Sequence, residues 1–425
     1  MTQKAWIISV NMGYGHQRTA FSLRDLAFEG KIINANDYQG ILEKDRKIWE
    51  IARRFYEFIS RFSRIPFIGS NFFLLYDRFQ KILTFYPKRN LSESNFTLRQ
   101  IYSLFKKGWG KDLIEKIKVQ NLRLKSNSPI ISTFFIPAFM AEFFNYPGEI
   151  FCVVCDVDIA RNWAPLNPNK SKIKYFVPTE RVMERLKLYG IKEENIFFTG
   201  YPLPPGNIGG ENLEILKEDL RYRLLNLDPE RRYFKKYKIL IEKYLGKLPT
   251  KPNHPLTIMF SLGGAGVQKE IGIKILKSLK EKIQKDKIKI IISIGIKEKI
   301  KEYFERKIKN KIEIIFEKEI ENYFQRFNHS LRKTDILWTK PSELSFYSAL
   351  GIPIIITPPV GSHEEFNKRW LLKSGFGIFQ ENPNYSSEWL FDWLKKGYFA
   401  EMAMESFIEG EKLGTLNIQK IIKKI

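Results

Sequence analysis

Short apolar runs that end in a glycine loop and pass straight into a helical pattern constrain this 425-residue chain more than any other feature. Ala5 to Val10 leads into NMGYGH and the helix-spaced QRTAFSLRDLAFEG, and LTIMFS leads into LGGAG and QKEIGIKILKSLKEKI. Further apolar runs follow each of these: PIISTFFI, EIFCVVCDV, KYFVPT and NIFFTGYP after the first, KIKIIISIG, DILWT and PIIIT after the second. Helical segments separate most of the runs, a pattern that builds parallel sheets covered by helices. The predicted fold class is therefore α/β, with two domains of one architecture. PLPPGNIGG, rich in proline and glycine, marks the boundary between them. The expected organisation is residues 1–205, then 206–385, then C-terminal helices over 386–425 that cross back to the first domain.

Lys and Arg number 71 against 47 Asp and Glu, a net charge of +24, so a polyanionic partner has to be considered. Part of that excess is general Lys/Ile bias. Part is concentrated in residues 43–110, where aromatic and basic side chains interleave: Trp49, Arg53, Arg54, Phe58, Arg61, Phe72 and Phe73 stand out. Amphipathic helices of this kind suit an anionic membrane surface, with aromatics at headgroup level and cations on lipid phosphate. The ordinary alternative is an aromatic core face backed by a solvated basic face. Single-stranded nucleic acid would also suit stacked aromatics, but no nucleic-acid-binding motif accompanies them, and no nucleic-acid partner is expected.

No run approaches the roughly 18–20 apolar residues of a membrane span, and the N-terminus lacks the pattern of a secretory signal. The two cysteines, Cys152 and Cys155, exclude a disulfide framework and read as core residues of a buried strand. No metal site is expected. The predicted location is the cytoplasm, peripheral on the inner face of the cell membrane.

Gly263, Gly264 and Gly266 follow an apolar run and precede a helix, where backbone N–H groups and the helix dipole can receive phosphate. The spacing is neither that of a P-loop nor G-x-G-x-x-G. His16 sits in a glycine loop at the end of the first run, where open α/β sheets bind ligands, and is a candidate general base. His254 and His329 read as structural or solvent-facing.

WTKPSELSFYSALGIPIIITPPVGSHEEFN is similar to the nucleotide-sugar-binding half of GT-B glycosyltransferases, specifically the group of monogalactosyl- and diglucosyl-diacylglycerol synthases and the peptidoglycan N-acetylglucosaminyl transferase. NMGYGHQRTA resembles the group's glycine-glycine-His loop. CDVDIARNW followed by YFVPTERVMERLKLYGIKEENIFFTGYP resembles its Asp-x(6)-Trp segment and Thr-Gly-hydrophobic-Pro closure. The resemblance runs in order along nearly the whole chain. It implies two Rossmann-like domains facing across a cleft, with a nucleotide-sugar donor, expected to be UDP-linked, on the second and an acceptor on the first.

The resemblance also implies inverting transfer of a hexose to a lipid or lipid-linked acceptor, without a metal. His16 or Asp156 would be the base, and Gly13, Gly15 and Trp163 would face the acceptor. Gly263, Gly264, Gly266, Lys340, Pro341, Glu343, Ser348, Glu364, Glu365 and Asn367 would bind the donor, with Lys340 or Lys269 meeting the leaving diphosphate.

Several positions depart from the group. Ser342, Glu343 and Ser348 stand where two glycines and a ribose-binding Glu are expected, and Ala160 replaces a His. Glu364 or Glu365 would replace the ribose ligand. A catalytically silent homologue that binds nucleotide or membrane, and a nucleotide-sugar epimerase, are the alternative readings.

Overall fold

The computed structural model describes residues 3–62, 82–263, 266, 268–307, 312–359 and 361–424, with the side chains of 55–62 and 362 left undescribed. Contacts divide the chain into two units. The first is Met1–Pro202 with Val360–Phe366 and Leu413–Ile425, and the second is Leu203–Pro359 with Asn367–Lys412.

The first unit carries a six-stranded parallel sheet of β1 (Ala5–Ser9), β2 (Ala27–Asn34), β3 (Ile130–Ser132), β4 (Ile150–Val153), β5 (Lys174–Val177) and β6 (Ile196–Phe198), in the order β2-β1-β3-β4-β5-β6. The inner strands are continuous apolar runs because helices cover both faces of a parallel sheet. Ile7 pairs with Ile131, and Phe151 stacks on Phe176 with ring centroids 4.7 Å apart. From β1 the chain leaves to one side for β2 and later returns on the other side as β3. That reversal opens a crevice at the strands' C-terminal ends, where doubly wound sheets take ligands.

The helix Gly414–Ile422 closes the core of this unit. Ile418 and Ile422 are fully buried with Ala5, Ile7, Phe151 and Phe176. Asn417 donates to the Thr199 carbonyl at 2.9 Å. Gly414 lies so close to the loop after β6 that a Cβ would meet the Tyr201 carbonyl oxygen at 2.2 Å.

The second unit repeats the plan with β7 (Leu256–Ser261), β8 (Ile288–Gly295), β9 (Glu313–Phe316), β10 (Ile336–Thr339), β11 (Ile354–Ile356) and β12 (Gly377–Phe379), ordered β12-β11-β10-β7-β8-β9 and parallel throughout. This is the dinucleotide-fold order, with its reversal between β7 and β10. The helices Ser386–Lys396 and Tyr398–Glu409 belong to this unit, so only the last stretch, 413–425, groups with the first.

At the opposite end of that sheet, Asp335 is fully buried. Its Oδ2 accepts from the Thr257 N–H (2.8 Å) and from Asn226 (2.9 Å), while Oδ1 has no partner. Burial pushes this carboxyl up to about 8. Nearby Arg223, also buried, donates to the carbonyls of Leu331, Thr334 and Leu350.

Candidate active site

In the first unit the helix Tyr14–Ser22 begins directly after β1. Gly13 precedes it at φ +115 with open space where a Cβ would lie, so glycine is needed there for its backbone angle rather than for room. Gly15 lies in the first turn and accepts a hydrogen bond from the Thr19 hydroxyl at 2.8 Å. His16 follows, and its Nδ1 is 2.8 Å from the Thr133 carbonyl oxygen and 3.2 Å from Cys155 Sγ. A carbonyl can only accept, so Nδ1 carries the proton and the lone pair of the neutral ring is on Nε2. That tautomer is the one a general base requires. The imidazole packs against Phe134, with centroids 4.7 Å apart, and lies 6.3 Å from Trp163.

His16 and half-buried Asp156 line one pocket of about 140 Å³, walled by Phe134, Phe135 and Trp163. His363, from the 360–366 segment grouped with this unit, also lines it. The turn Arg161–Trp163 is fixed from behind. Buried Arg161 donates to the carbonyls of Ser92, Ala164 and Pro165, and the Tyr175 hydroxyl donates to the Trp163 carbonyl at 2.9 Å. Asp158, next along from the candidate base Asp156, is engaged elsewhere, in a bidentate pair with Arg185 at 2.8 Å.

Cys155 corrects the reading of the C-x-x-C pair as two strand residues. β4 ends at Val153, which leaves Cys152 in the strand and Cys155 two residues beyond it, against His16. Sequence reasoning also passed over Asn162, whose side chain lines the same pocket.

In the second unit, Gly263 and Lys340 leave the C-terminal ends of β7 and β10, on the two sides of the sheet's reversal. A Cβ on Gly263 would lie 2.5 Å from Lys340 Cε, so the lysine arm crosses the glycine loop. Gly266 is left-handed at φ +66, and its N–H donates to the Gly263 carbonyl. Gly264 lies outside the described residues. Gln268 takes a left-handed backbone at φ 73 just before the helix Lys269–Ser278. Its carboxamide accepts from the Thr357 hydroxyl and donates to the Pro358 carbonyl, both at 2.6 Å, so it ties the glycine loop to the loop after β11. Lys269 lies over the Tyr303 ring, 4.3 Å from its centroid.

Asn367 is buried and donates to the Pro341 carbonyl at 3.3 Å, which props the turn after Lys340. Glu343 opens a 3-10 segment, Glu343–Leu350. Ser348 is corrected as a donor ligand: it has no exposed surface, and its hydroxyl donates to the Ser345 carbonyl inside the same turn. Glu364 is buried and Glu365 half-buried, and both lie in the 360–366 segment grouped with the first unit.

The basic aromatic segment is described in part. In the helix Glu43–Phe62, Arg53, Arg54 and Ile51 are exposed. Trp49 is not on that surface; it is 3% exposed and packs edge-on against Trp109 at 4.9 Å, because this face of the helix covers the first unit. The side chains of Phe58 and Arg61, and all of Phe72 and Phe73, lie outside the described residues. No helix among the described residues is long and apolar enough to cross a membrane, and none of their His, Cys, Asp and Glu side chains form a group of three placed to hold a metal.

Comparison with known proteins bears on this arrangement. A family model described as a domain of unknown function, DUF6938, matches residues 249–329 and 297–375. The processive diacylglycerol β-glucosyltransferase of Bacillus pumilus is 23% identical over 386 residues, spanning 88% of this chain and 82% of the relative. Its Bacillus subtilis counterpart is 24% identical over 386 residues, 88% and 83% of the two chains. The chain is a distant homologue of these glucosyltransferases. That homology and the two doubly wound units give it the GT-B architecture. Among solved structures, MurG of Acinetobacter baumannii overlays with a TM-score of 0.47 at 12% identity, covering 99% of this chain and 100% of that one. The UDP-GlcNAc 2-epimerase of Neisseria meningitidis gives 0.46 at 12% identity over 74% and 81%.

Proposed function

We propose that this protein is an inverting glycosyltransferase that moves a hexose from a UDP-sugar to the hydroxyl of a lipid or lipid-linked acceptor at the cytoplasmic face of the membrane. The observation that carries the reading is the state of His16. Its Nδ1 proton is held by the Thr133 carbonyl, so Nε2 can take a proton inside a small, aromatic-walled pocket. The bacterial diacylglycerol glucosyltransferases, whose likeness spans 88% of the chain, supply the substrate classes.

The chemistry divides between the two units. In the first, His16 removes the proton from the acceptor hydroxyl as its oxygen attacks the anomeric carbon, and Asp156 is the other candidate base. The bond to the nucleotide diphosphate breaks in the same step, and negative charge grows on the leaving oxygen. In the second unit, Lys340, whose arm lies across Gly263, stabilises that charge, with Gln268 and Asn367 bracing the glycine loop and the Pro341 turn. On this reading Lys340 meets the charge and the transfer needs no metal. Exposed Arg53 and Arg54 would bring the protein to anionic lipid.

Calorimetric titration with uridine, adenosine, guanosine and thymidine diphosphates tests the donor half. Selective uridine diphosphate binding that Lys340→Ala abolishes is expected. If none of the four binds, the silent-homologue reading takes its place.

A further inference from the structure

We infer that the Asn162 carboxamide reads a second hydroxyl on the acceptor, beside the one that reacts, so that the pocket selects a diol or polyol head over a simple alcohol. The side chain is 3% exposed, and its Oδ1 is buried without any hydrogen-bond partner. A buried acceptor left unmade costs on the order of 1–3 kcal/mol and calls for a reason. The turn that holds it is rigid, with Arg161 bonded to three carbonyls and Tyr175 to a fourth, so Asn162 cannot relax outward cheaply. Asn162 lines the same pocket as His16, Asp156 and Trp163, whose volume of about 140 Å³ is several times the ~30 Å³ of a liquid water.

Proton counting sets the substrate class. Oδ1 only accepts, so its complement is an O–H or N–H donor. The hydroxyl that reacts carries one proton, and that proton goes to the base. Asn162 therefore needs a donor of its own, which a second hydroxyl on the same head supplies. Ala160, also on the pocket wall, offers no side-chain hydrogen bond. The significance of the pocket as an acceptor site rests on the glycosyltransferase reading, but the recognition itself does not require turnover.

The test compares two amphiphiles that share a chain and a terminal hydroxyl: 1-monooctanoylglycerol, a vicinal diol, and 3-hydroxypropyl octanoate, its single-hydroxyl counterpart. Binding to the full chain is measured by titration without any sugar nucleotide. The wild type should bind the diol about tenfold more tightly. Asn162→Ala should bind both equally, at the wild-type affinity for the single alcohol, which also shows that the pocket is intact. Asn162→Asp, which keeps an acceptor oxygen, should retain the preference even if the alanine variant does not fold. The inference is overturned if the wild type shows no preference or binds neither probe, if the alanine variant keeps the preference, or if the aspartate variant loses it. Failure of sugar transfer, by contrast, would leave this binding result standing.

Discussion

The arm of Lys340 lies across Gly263, close enough that a Cβ on the glycine would meet Lys340 Cε at 2.5 Å. The glycine loop after β7 and the turn after β10 are thus fitted to each other through one side chain. Gly263→Ala would push the flexible end of a lysine rather than backbone, so it should displace the charge without unfolding the unit. The expected result is a roughly tenfold or greater loss of uridine diphosphate affinity, about 1.4 kcal/mol, with the melting temperature little changed. A large drop in melting temperature with affinity retained would separate the lysine from the nucleotide.

Exposed Arg53 and Arg54 and buried Trp49 make opposite predictions on one helix. Reversing both arginines to Glu should weaken flotation with anionic liposomes and remove its salt sensitivity, since each basic residue near such a surface is worth about 1 kcal/mol. Trp49→Ala should instead lower stability by about 3–5 kcal/mol through loss of the Trp109 contact. Absence of wild-type flotation at low salt would contradict the membrane role.

Asp335 predicts how the second unit responds to pH. Burial raises its carboxyl to about 8 against 3.8 for an unperturbed group, so between roughly pH 4 and 8 the folded state holds a proton that the unfolded state has released. The stability this gives is complete below the lower value and is lost as pH rises through the higher one. Asp335→Asn, neutral throughout, should melt with less dependence on pH between 5 and 8, and each kcal/mol of difference should read as roughly 2–4 °C. Parallel curves for variant and wild type would show that the carboxyl is ionised in the fold.

The C-terminal helix is an integral part of the first unit. Ile418 is fully buried among β1, β4 and β5 residues, and Ile418→Ala should cost about 2–5 kcal/mol in a denaturation experiment. A surface-like change of under 0.5 kcal/mol would place the helix outside that core.

Much of this was legible in the sequence because parallel strands are apolar on both faces and glycine loops mark their ends. The runs at Ala5 and Leu256 become β1 and β7, with His16 and Gly263 just beyond them. Side-chain facts that depend on distant partners were not legible. Nothing local shows that Cys155 leaves its strand to meet His16, 139 positions away, or that Gln268 reaches Thr357. Trp49 looked like a membrane aromatic because amphipathic periodicity alone does not tell which apolar face is covered by protein. Ser348 stands at the position of the group's ribose-binding Glu but is closed inside a 3-10 turn.

The central claim is the role of His16, and transfer itself tests it most directly. Wild type and His16→Ala would be incubated with radiolabelled UDP-glucose, UDP-galactose or UDP-N-acetylglucosamine and anionic mixed micelles containing diacylglycerol or glucosyl-diacylglycerol, in the presence of EDTA. The account predicts a labelled, lipid-extractable product from the wild type and a loss on the order of 10²–10⁴-fold in turnover in the variant, with uridine diphosphate affinity preserved. Labelled product formed equally well without His16, or nucleotide released with no glycosylated lipid, would contradict it.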